Sequence, residues 1–164
     1  MASRQNHKIS DCYNRIFIYA VLATGTSFRY NGIMLVIRIK TQTREEIVDI
    51  TATLQDIVKK EHWQSGILTL YSPHTTAALS VNENADPDVK RDLLSFLKGT
   101  IPPSPDFKHR EGNSDAHIKG ALINFSQTFL IENSRIQLGT WQGIFFMEFD
   151  GPRSREIWVK FIAG

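Results

Sequence analysis

The sequence predicts an antiparallel α+β domain, and three observations carry that expectation. From residue 34 onward, short strand-like runs follow one another mostly across turns, without the regular helical crossovers of a doubly wound sheet. About three amphipathic helices interrupt these runs. Ten Phe, four Tyr and three Trp against one Cys, in a chain 41% hydrophobic and 22% charged, give a packed, β-rich interior. A length of 164 residues suits one compact domain.

The elements follow in order. Leu35 to Thr41 alternates toward a strand, and Ile47 to Ile50 continues it after a turn. Ile50, Leu54, Ile57 and Val58 have the spacing of an amphipathic helix over Thr51 to about His62. Gly66 opens a strand over Ile67 to Tyr71, which Pro73 interrupts, and Thr75 to Val81 is a further strand. Asp86-Pro87 is a helix start, with Asp86 as cap and Pro87 in the first turn. Val89, Leu93, Phe96 and Leu97 form its apolar stripe, and Gly99 is placed to close it. Residues 100–112 hold three prolines and form a loop long enough to carry function. Ser114 is read as the cap of a short helix over Asp115 to Leu122. The remaining strands are Thr128 to Glu132, Arg135 to Leu138, Gly143 to Phe149 and Glu156 to Phe161. Asn133-Ser134 is a tight hairpin turn, and Asp150-Gly151-Pro152 is turn chemistry.

Residues 1–33 form a leader of different character. They carry four basic side chains against one acidic, which leaves the body at −1. A basic start followed by the apolar run Ile16 to Ala23 has the outline of a signal peptide, but eight residues containing a Tyr make a short one. A poorly ordered natural extension is a second reading. The favoured one sets Met34 as the biological start, because strand sequence begins there at once. The domain is therefore expected over 34–164, with the leader outside it.

Composition also excludes. One cysteine rules out an intrachain disulfide framework and Cys-cluster metal sites, so any metal falls to His, Asp or Glu. No apolar run approaches the roughly 20 residues that span a bilayer. The body lacks the basic excess that nonspecific nucleic-acid binding wants. No phosphate loop, dinucleotide fingerprint or nucleophile elbow occurs, so no nucleotide cofactor is expected. The expected setting is cytoplasmic.

Three polar stretches concentrate the chemistry: residues 72–76, 82–88 and 109–119. His117, in a first helical turn, faces the positive end of the helix and is expected neutral, able to bind a metal or donate to a carbonyl; a bond back to its own turn is the bland alternative. His74 follows a proline at a strand end, and His109 lies in the long loop. Those three imidazoles are the candidate ligands of a shared metal, although no sequence-local signature supports the set. Glu83, flanked by two Asn, is a candidate base or cation holder; a solvated strand end is its alternative. Asp115, in a first turn, answers the helix dipole in its bland reading. Trp141 is a candidate pocket wall or a core residue, and Arg153 and Arg155 either grip phosphate or stand as surface arginines.

At these residues a resemblance emerges. Ser72-Pro73-His74-Thr75-Thr76-Ala77-Ala78, Val81 to Asn84 and Asp86 to Val89 resemble the YjbQ family. Glu111 to Lys119 is similar to its second block, and Leu138 to Gln142 with Glu148 to Arg153 to its third. The resemblance spans about residues 34–163. It implies α+β domains that form homotrimers, some named secondary thiamine-phosphate synthase. It implies His74, Glu83, Asp115 and His117 as catalytic residues, and Lys119, in the same block, joins them as a candidate that holds negative charge. Thr75, Asn82, Asn113, Trp141 and Arg153 are then the candidate substrate contacts. The implied substrate is a phosphorylated or otherwise anionic small molecule, helped by a divalent metal, Zn or Mg. The rival expectation is a metal- or ligand-binding trimeric module without turnover.

Overall fold

A computed structural model describes residues 16–21 and 34–164 of the chain. Nine strands and three helices occur among them, in the order β1 (Ile16–Val21), β2 (Met34–Lys40), β3 (Glu46–Asp49), α1 (Thr51–Lys60), β4 (Ser65–Tyr71), β5 (Ala77–Glu83), α2 (Pro87–Thr100), α3 (Ser114–Ile123), β6 (Ser126–Glu132), β7 (Arg135–Ile136), β8 (Gln142–Glu148) and β9 (Ser154–Ala163). Every strand pairing is antiparallel. Sheet A runs β1-β2-β9-β4-β6-β7 and sheet B runs β3-β8-β5. The expected α+β sandwich with three helices is what the chain forms.

Side-chain alternation explains the layers. Leu35, Ile37 and Ile39 of β2, Ile157 and Val159 of β9, and Leu68 and Leu70 of β4 point from sheet A into the main core. Ala77 and Leu79 of β5, with Ile144 and Phe146 of β8, meet them from sheet B, and Leu54, Ile57 and Val58 of α1 close one side. The intervening residues of β8, Phe145 and Met147, face the other way into a second core with Leu97 of α2 and Ala116 of α3. Sheet B is thus covered on both faces, which is why β8 reads as a nearly continuous apolar run. Among the described residues, sheet A is covered on one. Its outer face exposes Ile67, Tyr71, Leu130, Trp158 and Ile162.

Several expectations need correction. The segment at Ile47 does not extend β2 within one sheet: β3 pairs with β8 in sheet B, so residues 41–45 carry the chain from one sheet to the other. Gly99 does not close α2, which runs on to Thr100. Ser114 is itself helical, and Asn113 stands at the N-cap, its side chain spent on Asp150 instead of on the helix. Asp86 caps α2 as expected, accepting from the Asp88 N–H at 2.8 Å. Asn133 and Ser134 turn the β6–β7 hairpin, both with positive φ. Part of the leader, Ile16–Val21, pairs along the edge of β2; its other residues, 1–15 and 22–33, lie outside the described residues.

Candidate active site at one end of sheet B

Four distant segments converge where β8 ends and β5 begins. Glu148, the last residue of β8, is fully buried. Arg155 of β9 donates to it twice, Nε to Oε2 at 2.7 Å and Nη2 to Oε1 at 2.5 Å, the bidentate geometry that best compensates a buried carboxylate. Nη2 also reaches Thr76 Oγ1 at 2.8 Å. Thr41 Oγ1 donates to Glu148 Oε2 at 3.0 Å and accepts from the Arg153 N–H at 2.7 Å. Arg155 is therefore not a surface arginine; the parity of β9 turns it inward.

Two close approaches lock these segments together. A Cβ on Gly151 would stand 2.4 Å from the Thr43 carbonyl oxygen, so the third residue beyond β8 must be glycine for the 41–45 loop to lie against it. A Cβ on Gly120 would stand 3.0 Å from the Thr75 carbonyl oxygen, which holds α3 hard against the loop that carries His74.

The α3 face contributes a second buried charge cluster. Lys119, wholly buried, donates to Asp115 Oδ2 at 3.0 Å and to Glu45 Oε1 at 2.8 Å. Arg44 Nη2 donates to Asp115 Oδ1 at 2.9 Å. Asn113 Nδ2 donates to Asp150 Oδ2 at 2.9 Å, and Arg153 Nη2 meets the same oxygen at 2.5 Å. Burial opposes ionisation of Asp150, but Asn113, Arg153 and Arg44 outweigh it and hold its carboxyl below the usual range. A cavity of about 530 Å³ opens beside this cluster, lined by Thr43, Arg44, Glu45, Lys98 and Pro103.

His74 sits at the sheet A side. Its Nε2 accepts from the Glu156 N–H at 2.8 Å, which puts a neutral ring's proton on Nδ1. Burial, and then the Arg155 charge, push its pKa down against the pull of Glu148 and Glu156. His117 packs edge-on against His109, ring centroids 5.1 Å apart. Because Asn113 is the N-cap, His117 is the fourth helical residue and its N–H is already bonded to the Asn113 carbonyl.

The structure therefore puts Asn113 and Arg153 on Asp150, and Asp115 and Lys119 in a second bonded group with Arg44 and Glu45, the two groups linked by the Arg44 charge acting on Asp150; His74 stands by Glu156, Arg155 and Glu148, and Thr75 is exposed next to it in the chain. It places Asn82, Glu83 and Trp141 elsewhere. Glu83 pairs with Gln142 at the opposite end of sheet B, roughly 20 Å away at a strand rise of about 3.3 Å per residue. Asn82 is exposed there and accepts the Glu83 N–H, and Trp141 is exposed beside them, its carbonyl taken by the Asn84 N–H. Among the described residues no three His, Cys, Asp or Glu side chains are grouped to hold a metal, so His74, His109 and His117 do not make a three-ligand set within one chain. Sequence reasoning missed Thr41, Arg44, Glu45 and Glu148. Glu148 had a signal, a charge inside an apolar strand; the loop residues had none. No helix among the described residues is long and apolar enough to cross a membrane.

Comparison with known proteins bears on the fold and the family. A family model described as UPF0047 protein YjbQ-like matches residues 36–164. A UPF0047 protein of Methanocaldococcus jannaschii is 53% identical over 126 residues, 77% of this chain and 91% of its own length. YugU, a UPF0047 protein of Bacillus subtilis, is 44% identical over 77% of this chain and 97% of its own length. A crystal structure of an uncharacterized YjbQ/UPF0047 protein from Clostridium acetobutylicum superposes with a TM-score of 0.75 at 47% identity, covering 77% of this chain and 98% of that one. A YbjQ-like protein of unknown function from Sulfolobus solfataricus gives 0.77 at 31% identity, covering 82% and 99%. With its fold, its three sequence blocks and these relatives in agreement, the chain belongs to the YjbQ-like UPF0047 family.

Proposed function

We propose that this protein binds and converts a phosphorylated or otherwise anionic small molecule at the His74–Asp115–Lys119 end of sheet B. The observation that carries the reading is the charge beside the cavity: among the described residues Arg44, Lys98 and Lys119 share the two carboxylates Glu45 and Asp115 in their ion pairs, and Arg153 balances the nearby Asp150, so positive charge is in local excess for a ligand. Arg44 and Lys98 are also partly solvent-exposed, so an anion can reach them.

The candidate reaction is thiamine-phosphate formation. A thiazole ring nitrogen attacks the methylene carbon of a pyrimidine methyl diphosphate; the C–N bond forms, the C–O bond breaks, and pyrophosphate leaves. Arg44, Lys98 and Arg153 are suited to the charge that builds on the leaving group. A neutral His74 with its proton on Nδ1 can donate to a ligand oxygen. Asp115 and Glu45 hold Lys119 in place. Among the described residues no three side chains are grouped as metal ligands, so no step is assigned to Zn or Mg.

A homotrimer is part of the proposal, since Glu83 would need a second copy to reach this end. The exposed Ile67, Tyr71, Leu130, Trp158 and Ile162 suit such a contact, and Trp158 lies two residues from Glu156, the partner of His74. The test is pyrophosphate release from the two precursors. The wild type should turn over, and His74→Asn should lose at least about tenfold with its melting temperature nearly unchanged. Binding of the diphosphate without release would favour the rival reading of a binding module without turnover; absence of binding would overturn both.

A further inference from the structure

Glu45 is almost entirely buried, and its two oxygens have unequal fates. Oε1 takes the Lys119 ammonium at 2.8 Å. Oε2 is shut off from solvent and has no hydrogen-bond partner. A buried carboxylate oxygen left this way costs free energy and calls for an explanation. The neighbour on the Oε2 side is Lys98, whose Nζ stands 4.0 Å away, too far for a hydrogen bond, on a half-exposed side chain. Glu45 and Lys98 both line the 530 Å³ cavity, together with Arg44, whose guanidinium is partly exposed after giving Nη2 to Asp115. An acceptor waiting for a donor thus lies next to two cations able to receive an anion.

We propose that this cavity binds a small molecule that carries an amino group and an anionic group together. The amino N–H meets Glu45 Oε2, and the anion lies between Arg44 and Lys98. Lys98 is the movable part. A flexible lysine at the cavity wall can swing off Glu45, surrender that position to the ligand donor, and follow the anion with its own charge. The inference rests on the reading that this end of sheet B takes an anionic ligand, and adds the amino group as the feature that selects among anions.

The experiment is calorimetric titration of the full chain with O-phosphoethanolamine and with ethyl phosphate, two probes alike in size and in their phosphate but different in the amine. The expected result is at least about tenfold tighter binding of O-phosphoethanolamine, one charge-assisted hydrogen bond's worth. Lys98→Ala should weaken both probes several-fold, and Glu45→Gln should erase the difference between them. Equal affinities in the wild type overturn the inference and leave the anion reading standing. Failure of both probes to bind overturns both. Binding that ignores Lys98→Ala places the ligand elsewhere and overturns the inference. Should Glu45→Gln not fold, the wild-type comparison and Lys98→Ala still decide.

Discussion

The two ends of sheet B are both polar, and they are built on different physics. At the β8 C-terminal end, Glu148, Arg155, Asp115 and Lys119 are buried charges, and each finds its partner on another segment or another turn of helix. At the other end, Asp49 accepts from Thr51 and Asn84, and Lys90 donates to Asn84, in groups that water still reaches. Burial opposes ionisation of Asp49 as well, but those hydrogen bonds and the Lys90 charge outweigh it and lower its pKa. Solvated groups can lose a partner and be rescued by water. Buried charges cannot, so the first end is the one whose geometry is fixed by the whole fold.

Substitutions should separate the two ends, the largest effects first. Arg155→Met takes from buried Glu148 its ion-pair partner, and Lys119→Met takes from buried Glu45 its hydrogen-bonded cation and from buried Asp115 one of its two. Each should cost about 3–5 kcal/mol in urea unfolding, whereas Lys90→Met at the other end should cost under about 1 kcal/mol. Equal losses would break the comparison. Asp86→Ala removes the cap of α2 and should cost about 1 kcal/mol, read from the same transition.

A slope in pH comes next. The folded-state pKa of His74 lies below its ordinary 6.5, so between that lowered value and 6.5 the unfolded chain binds the extra proton. Stability should therefore fall as pH drops through that window, and His74→Asn should flatten the slope there. The lowered carboxyls Asp49 and Asp150 act elsewhere: their contribution is present above their ordinary 3.8 and disappears as pH falls through their folded values. A slope in that window that survives His74→Asn would show that another group carries it. Smallest of all, Glu83→Ala should change unfolding free energy by no more than about 0.5 kcal/mol, because the side chain is a half-solvated strand end.

How much of this was legible in the sequence depended on the range of the interaction. The start of α2 was legible because Asp86 and Pro87 act on their own turn. The β6–β7 turn was legible because Asn133 tolerates positive φ between two strand-like runs, although Ser134, also at positive φ, stands where glycine is the usual residue. The fate of residues 41–45 was not, since whether β3 joins β2 or β8 is settled by packing between sheets. The start of α3 was misread for a related reason: Asn113 gives its side chain to Asp150, 37 residues away, and Ser114 looked locally like the better cap. In the site, His74 and the Asn113–Lys119 block stood out as polar clusters. Glu45 did not, because nothing in Thr43-Arg44-Glu45-Glu46 marks one of two adjacent glutamates as the buried one. The separation of Glu83 from His74 follows from β5 itself, a straight strand with one residue near each end.

The place of β9 has a consequence for the birth of the molecule. Of the nine described strands it is the last in chain order, yet it lies between β2 and β4, bonded to both. Until the ribosome has delivered residues 154–163, β2 and β4 present raw edges to the surrounding cell, and Arg155 has not arrived to neutralise Glu148. The nascent chain must therefore wait in an adhesive, half-zipped condition, and closure of the barrier to aggregation coincides with completion of the charged pocket.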